Sequence, residues 1–235
     1  MKSKLPRVAF IAAMFLFFSV LQGLSQDKSA HEALDRYIAN GVKVFDMPGL
    51  SVGIIKDGKI VFNKAYGYTN TETGSLVTPE TVFGIASLTK AFTAAGIAML
   101  VDEGKLNWTD KVIEHYPEFR VFDPYITAEM EIQDMLSHRS GYQTFDGDLL
   151  WYGTDYTREE VLDRIRFREN PYSFRSRFGY QNVMFIAAGE VIARKSGKSW
   201  DLFMDERIFN PLGMYSTTTS NTNFTTGMDI AWPHI

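Results

Sequence analysis

Apolar and polar positions change rhythm several times along the chain. Leu34, Tyr37, Ile38 and Val42 recur at helical spacing, which predicts an amphipathic helix. Ser29 with Glu32 reads as its capping box, and Met47-Pro48 as its end. Two strand-like runs follow, Leu50–Lys56 and Lys59–Tyr66, joined by Asp57-Gly58, a strong hairpin signal. From Ser87 to Val101 the one charge is Lys90, and apolar or small residues lie all round the helix. A helix without a polar face is a buried one. Gly104 marks its C-terminal stop.

Beyond Lys105 short helical patterns alternate with loops. Ile132, Met135 and Leu136 form one apolar patch. Thr157 with Glu160 makes a second capping box before Val161, Leu162 and Ile165. Val183–Lys195 and Ser199–Ile208 are predicted helices, and Thr217–Thr226 is a polar loop. No internal repeat and no long linker divides the chain. The pattern predicts a small sheet with a central buried helix, then a mostly helical insertion.

The N-terminus has a different texture. Lys2, Lys4 and Arg7 precede Val8–Leu21, an uncharged apolar run of 14 residues, and Gly23-Leu24-Ser25 follows. This is the layout of a secretory signal peptide, residues 1–25, cut after Ser25. A spanning helix needs about 20 apolar residues, so no stable membrane span is expected after cleavage. The expected location is periplasmic or secreted.

Composition narrows the chemistry. At 235 residues, 45% hydrophobic and 22% charged, the chain is an ordinary globular protein. A net charge of −4, with no dense Lys/Arg run, argues against a nucleic-acid partner. Without cysteine there is no disulfide, no thiol chemistry and no lipidated cysteine anchor. His31, His115, His138 and His234 are scattered without zinc-ligand spacing, which argues against a zinc hydrolase. No metal and no cofactor is expected.

Lys90 is the residue that needs a reason. Lysine is almost never fully buried unless paired, and burial disfavours its charged form. It sits three residues after Ser87, one turn along the same helical face. Ser87 falls at the predicted helix start, where backbone N–H groups are free and the dipole favours negative charge. A serine hydroxyl becomes a nucleophile when a neighbouring base takes its proton. A desolvated lysine can be that base, or can hold a tyrosine that is. The bland alternative makes Ser87 an N-cap and Lys90 a snorkelling surface residue.

Phe83-Gly84-Ile85-Ala86-Ser87-Leu88-Thr89-Lys90 resembles the active-serine segment of class C β-lactamases, D-alanyl-D-alanine carboxypeptidases and related esterases. Further stretches resemble the same family in the same order. Leu50–Ile54 with Gly58–Val61 is similar to its opening hairpin, and Gly104-Lys105-Leu106 with Asp110 to the stretch after the serine helix. Met135–Gly141 is similar to its L-L-x-H-x-S-G loop, and Tyr180-Gln181-Asn182 to its Y-x-N motif. Ser196-Gly197 and Pro211–Met214 complete the series, which covers nearly all of residues 30–235.

The resemblance implies an α+β, β-lactamase/transpeptidase-like fold: an antiparallel sheet flanked by helices, plus a mostly helical subdomain. Residues 26–235 would form one domain. Within it, 26–105 is the N-terminal part of the α/β region, 106–226 the helical region and 227–235 the start of a return to the sheet. The resemblance further implies that Ser87 forms an acyl-enzyme, with its N–H as half of the oxyanion hole. Lys90 would ease its deprotonation, Tyr180 would shuttle the proton, and Asn182 would bind substrate and brace Lys90.

Several look-alikes are set aside. Tyr68-Thr69-Asn70 also fits Y-x-N but precedes the serine, and is read as structural. Gly53–Lys59 fits a phosphate-loop pattern, but Ile60 follows it and the span reads as a strand and turn. His138 is read as bracing a turn, not as a catalytic base. The family's third motif, Lys or His, then Ser or Thr, then Gly, belongs on a strand. Lys195-Ser196-Gly197 has its letters but falls at a helix end, as an ordinary cap.

The C-terminal sheet strands of the family are missing, so an exposed apolar sheet edge is expected. The resemblance implies an exported serine hydrolase acting on β-lactam, D-Ala-D-Ala peptide, ester or amide substrates. The alternatives are a truncated, catalytically impaired relative and a non-catalytic cell-wall-binding module.

Overall fold

The computed structural model describes residues 29–224 and 228–234, so the expected signal peptide lies outside the described residues. Among the described residues no helix is long and apolar enough to cross a membrane. The described residues form two compact units, one of residues 29–84 with 228–234 and the other Ile85–Phe224. The Ser87 segment therefore groups with the helical region, and not with the hairpin.

In the first unit α1 spans residues 29–44. Ser29 is already helical, so the capping box predicted there is not the helix start. Leu34, Ile38 and Val42 are half-buried while Tyr37 is exposed, a narrower apolar stripe than the spacing suggested. Asp35 on α1 accepts from Lys64 Nζ at 2.5 Å and from the Tyr66 hydroxyl at 2.7 Å. Strands β1 (Gly49–Lys56) and β2 (Lys59–Asn70) pair antiparallel around Asp57 and Gly58. These two residues have φ of 51° and 71°, the double left-handed geometry of a type I′ turn. The span resembling a phosphate loop is thus strand and hairpin turn.

β2 continues to Asn70 and pairs with the short β3 (Ser75–Leu76), giving the order β1-β2-β3. Asn70 Oδ1 accepts from the N–H groups of Glu72 and Thr73 at 2.7 and 3.3 Å. Tyr68-Thr69-Asn70 is therefore a strand end and turn cap. Ile55, Ile60 and Leu76 are exposed on this sheet. Val82 bridges Ile230 in parallel, and the Trp232 N–H donates to Thr69 O at 2.9 Å.

The second unit opens on a 3₁₀ turn, Ala86–Leu88, leading into α2 (Thr89–Asp102). The helix predicted from Ser87 therefore starts two residues later, and Ser87 lies on the tighter turn. Its C-terminus is a Schellman cap: Gly104 (φ 67°) donates to Val101 O at 2.9 Å and Lys105 to Leu100 O at 2.9 Å. Short helices follow: α3 (Val112–His115), α4 (Pro124–Glu129), α5 (Ile132–Leu136) and α6 (Arg158–Ile165). The Thr157/Glu160 capping box of α6 is present, at 3.2 and 2.8 Å.

The central buried helix is not α2 but α7 (Val183–Ser196), which packs against α2, α5, α6 and α8 (Trp200–Met204). Val183, Met184, Ala187, Ala188, Val191 and Ile192 are fully buried along it. On α2 only Thr93, Gly96, Ile97 and Leu100 are buried, while Ala91 and Ala95 face outward. Exposed alanines cost little, so a helix without a polar face need not be enclosed. α7 ends at Gly197 (φ 72°), and Ser199 caps α8 by accepting from the Leu202 N–H at 3.2 Å. Lys195-Ser196-Gly197 is thus a helix terminus. α8 runs on into a wider π turn, Asp205–Phe209.

Candidate active site

Ser87 sits on the 3₁₀ turn just after Ala86, whose φ of 44° is left-handed for a residue with a Cβ. That conformation costs roughly 1–2 kcal/mol and persists where the surroundings over-determine it. Lys90, in the first turn of α2, reaches back along the face carrying Ser87. Its Nζ lies 3.2 Å from Ser87 Oγ and 2.5 Å from Asn182 Oδ1. It also lies 4.7 Å from the Tyr180 ring centroid and 5.4 Å from that of Phe185. The enclosure expected for Lys90 is partial, since the residue is half-buried. Its amine is held by one carbonyl, one hydroxyl and two ring faces, all partners that suit a cation.

Tyr180 and Asn182 come from the segment that leads into α7, 93 and 92 residues from their partners Ser87 and Lys90. That segment is laced to the loop after α5. Gly179 N–H donates to His138 O at 3.0 Å, and Tyr180 N–H to Thr144 Oγ1 at 3.2 Å. Gln181 N–H donates to His138 Nδ1 at 3.0 Å, and Phe145 N–H to Tyr180 O at 2.9 Å. The fit is tight enough that a Cβ on Gly179 would stand 1.9 Å from Tyr142 O.

The Tyr180 hydroxyl donates to Ser87 Oγ at 2.7 Å. The adjacent Lys90 ammonium, and next the Ser87 hydroxyl, hold the Tyr180 phenol below the ordinary tyrosine range. His138 stacks on the Tyr180 ring at 4.6 Å and 28°. Burial first, then the Lys90 charge, pulls the His138 pKa down. With Nδ1 accepting a backbone N–H, this histidine braces the Tyr180 segment, as the turn-bracing reading expected.

Asn182 is engaged by protein at both ends. Its Oδ1 faces Lys90, and its Nδ2 donates to both carboxylate oxygens of Asp148, at 3.1 and 2.9 Å. The Asn182 carbonyl is therefore in contact with the Lys90 amine, while its amide nitrogen faces a carboxylate. Asp148 was not among the residues singled out from the sequence. Its one local signal is Gly147, a left-handed residue (φ 84°) that starts the 3₁₀ turn Asp148–Leu150.

Asp110, Glu114 and His115 bring ligand-type atoms within 4.8 Å of one another. Asp110 is already occupied by the Asn107 N–H and amide and by His115 Nε2, at 2.8, 3.0 and 2.9 Å. This group shares no residue with the Ser87 cluster.

Residues 34–226 match the β-lactamase family. The chain belongs to that family. Among its relatives is unguisins hydrolase ungD′ of Aspergillus campestris, 33% identical over 212 residues, covering 84% of this chain and 39% of that one. Protein flp of Staphylococcus aureus is 28% identical over 204 residues, covering 83% and 39%.

Among solved structures, the octameric penicillin-binding protein homologue from Pyrococcus abyssi superposes with a TM-score of 0.73 at 31% identity, covering 85% of this chain and 47% of that one. D-amino acid amidase from Ochrobactrum anthropi superposes with a TM-score of 0.61 at 28% identity, covering 78% and 48%. The chain spans about two fifths of the length of the two relatives and about half of the two solved chains. The β-lactamase/transpeptidase-like fold, an antiparallel sheet with helices, accords with these matches.

Proposed function

We propose that this β-lactamase-family chain is an exported serine hydrolase that works through an acyl-enzyme on Ser87. The observation that carries the reading is one hydroxyl with two partners: Ser87 Oγ lies 2.7 Å from the Tyr180 phenol oxygen and 3.2 Å from Lys90 Nζ. Tyr180 in its phenolate form takes the Ser87 proton as Oγ attacks the carbonyl carbon. Lys90 favours that phenolate by its positive charge. The tetrahedral intermediate collapses when the Tyr180 phenol returns the proton to the departing nitrogen or oxygen. The C–N or C–O bond of the substrate breaks, leaving an ester on Ser87. Water then attacks this ester while Tyr180 accepts its proton; the bond between the acyl carbon and Ser87 Oγ breaks as Tyr180 passes that proton to Oγ, and the acid product leaves. The Ser87 N–H, on the 3₁₀ turn that leads into α2, supplies half of the oxyanion stabilisation.

The substrate class is an amide, an ester, a D-Ala-D-Ala peptide or a β-lactam. The D-amino acid amidase likeness and the hydrolase name of the fungal relative support acyl transfer at a carbonyl. The basic, apolar layout of residues 1–25 supports export to the periplasm or beyond.

The test incubates the chain with a fluorescent penicillin and, separately, with a p-nitrophenyl ester, beside a Ser87→Ala control. A covalent adduct of one acyl group on Ser87, located by peptide mass, is expected. Equal labelling of the Ser87→Ala variant would remove the nucleophile assignment. Absence of labelling and turnover with both probes would favour the impaired relative or the non-catalytic binding module.

A further inference from the structure

Asp148 has no role in the reaction outlined above, yet its carboxylate meets the one amide that touches Lys90. A carboxylate only accepts hydrogen bonds, so the Asn182 group facing it must be the amide nitrogen. That fixes the amide the other way round at its far end, with Oδ1 directed at Lys90. Reversed, the amide would set its NH₂ against the ammonium and its oxygen against the carboxylate, two repulsive contacts in place of two attractive ones. We propose that Asp148 is a positioning residue that locks the Asn182 amide so that its carbonyl holds Lys90 between Ser87 and Tyr180. The proposal rests on the serine-hydrolase reading only for its kinetic consequence. The geometric claim stands apart from it.

The carboxylate is itself well placed. Trp151 Nε1 donates to Asp148 Oδ1 at 3.2 Å, a third bond to the same group. The turn behind it is tailored to glycine: a Cβ on Gly147 would meet Ile165 Cδ1 at 2.7 Å and Val183 Cγ2 at 3.0 Å. The same turn carries Phe145, whose N–H bonds Tyr180 O at 2.9 Å and whose ring meets the Tyr180 ring edge-on at 5.6 Å. One short loop therefore positions the base directly and the lysine through Asn182. Asp146, two residues before Asp148, pairs instead with Arg168 beyond α6, at 2.7 Å.

Two physical effects of Asp148 on Tyr180 have opposite signs, and this makes the claim testable. As a bare negative charge, Asp148 raises the Tyr180 pKa. As the lock on Asn182, it keeps Lys90 close and so lowers that pKa. The experiment titrates the Tyr180 phenol in the whole chain by ¹³C-tyrosine NMR, with Tyr180→Phe assigning the resonance. In Asp148→Ala the lock is lost, and the Tyr180 midpoint is expected to move up, although a negative charge has been removed. In Asp148→Asn an acceptor oxygen remains for Asn182 Nδ2, and the midpoint is expected to stay at or below that of the unaltered chain.

A midpoint that falls or stays put in Asp148→Ala would overturn the proposal, as would one that rises equally in Asp148→Asn. A measurement on the unaltered chain covers the case of an Asp148→Ala variant that does not fold. There the Asn182 side-chain amide protons, assigned with Asn182→Ala, are expected to exchange with water more slowly than those of a free asparagine, since both carboxylate oxygens of Asp148 hold Nδ2. Exchange as fast as in a free asparagine would count against the lock. Acylation by the p-nitrophenyl ester is expected to fall about 10²-fold in Asp148→Ala, as for a misplacement of about 1 Å, and to recover in Asp148→Asn. If the unaltered chain and Ser87→Ala react alike with the ester, the hydrolase reading fails while the tyrosine titration still decides the role of Asp148.

Discussion

The phenol oxygen of Tyr180 stands 2.7 Å from Ser87 Oγ, although 93 residues separate the two in the chain. Because the Lys90 ammonium keeps the phenol below the ordinary tyrosine range, the base form of Tyr180 is reached at lower pH than in free tyrosine. Acylation is therefore expected to rise with pH along a limb whose midpoint lies below the usual tyrosine value of about 10. In Lys90→Met the cation is gone, so the limb moves to higher pH and the rate near neutrality falls. Tyr180→Phe, which has no proton acceptor, is expected to lose about 10²–10⁴-fold in acylation and to lose the alkaline limb altogether. Stopped-flow acylation by a p-nitrophenyl ester between neutral and alkaline pH checks both. An unshifted limb in Lys90→Met would contradict the role given to the lysine.

Gly179 fixes where Tyr180 begins. A Cβ there would lie 1.9 Å from Tyr142 O, a backbone atom that cannot swing away as a side-chain end can. Gly179→Ala must therefore separate the Tyr180 segment from the loop backbone at Tyr142. Overpacking of this kind costs about 1–3 kcal/mol. The expected outcome is a lowered urea midpoint together with a loss of acylation larger than Gly197→Ala produces, although Gly197 is left-handed (φ 72°) and Gly179 is not. A Gly179→Ala variant with unchanged melting and rate would mean that the close approach is not maintained in solution.

The parts of the fold legible from sequence are those fixed by neighbours a few positions away. Asp57-Gly58 dictates its own turn, Gly104 its own cap, and Thr157 with Glu160 a helix start. All of these are local backbone problems with one cheap solution. Tertiary competition was not legible. Up to Val101 α2 has one charge, Lys90, and α7 has its charges only in its second half, Glu190, Arg194 and Lys195, so periodicity alone does not rank them. α7 takes the centre because Val183, Met184, Val191 and Ile192 have volume to bury, while Ala91 and Ala95 of α2 have little to lose in water.

The site divides in the same way. Ser87 and Lys90 are one turn apart, so spacing brings them together. Tyr180 and Asn182 were reached only through an ordered resemblance, because nothing local connects them to a serine far back in the chain. Asp148 was missed since its partner is 34 residues away and an aspartate in an irregular loop has no pattern of its own. The left-handed Ala86 was also hidden, because alanine gives no sign of positive φ.

His138 couples the site to pH in the acid direction. Burial holds its pKa below the ordinary histidine value of 6.5, and its neutral Nδ1 accepts the Gln181 N–H at 3.0 Å. With the folded pKa depressed, the unfolded chain binds the proton first as pH falls. The stability contributed by neutral His138 is whole above about pH 6.5 and is lost as pH drops from there through the depressed value. His138→Asn removes the titration while keeping a side chain tolerant of the left-handed φ of 60°. Urea unfolding at pH 7.5 and at pH 5 is expected to show a smaller difference for His138→Asn than for the unaltered chain. Equal differences would move the acid sensitivity to other groups.

The loop that carries His138 is itself anchored by Asp134, whose side chain is fully buried beneath two arginines. Arg175 Nε reaches both carboxylate oxygens at 3.0 Å and its outer nitrogen reaches Oδ2 at 2.6 Å, while Arg139 adds a bond at 2.8 Å. The Glu131 N–H also donates to Asp134, at 3.0 Å, so the same carboxylate completes the cap of α5. The Arg175 N–H in turn donates to Arg139 O at 3.1 Å, which closes the loop behind His138. Removing the carboxylate leaves two guanidinium groups facing each other over a buried gap. Breaking a buried pair costs about 3–5 kcal/mol, and because both arginines are partly exposed, water recovers some of this. Asp134→Ala is therefore expected to lose about 3 kcal/mol in urea unfolding, while Asp134→Asn, which keeps one acceptor oxygen, loses less. No residue of the Ser87 cluster touches this carboxylate, so the folded fraction of either variant should keep the Tyr180 titration of the unaltered chain. A variant that melted normally but shifted that titration would show that Asp134 acts on the site electrostatically and not through the loop.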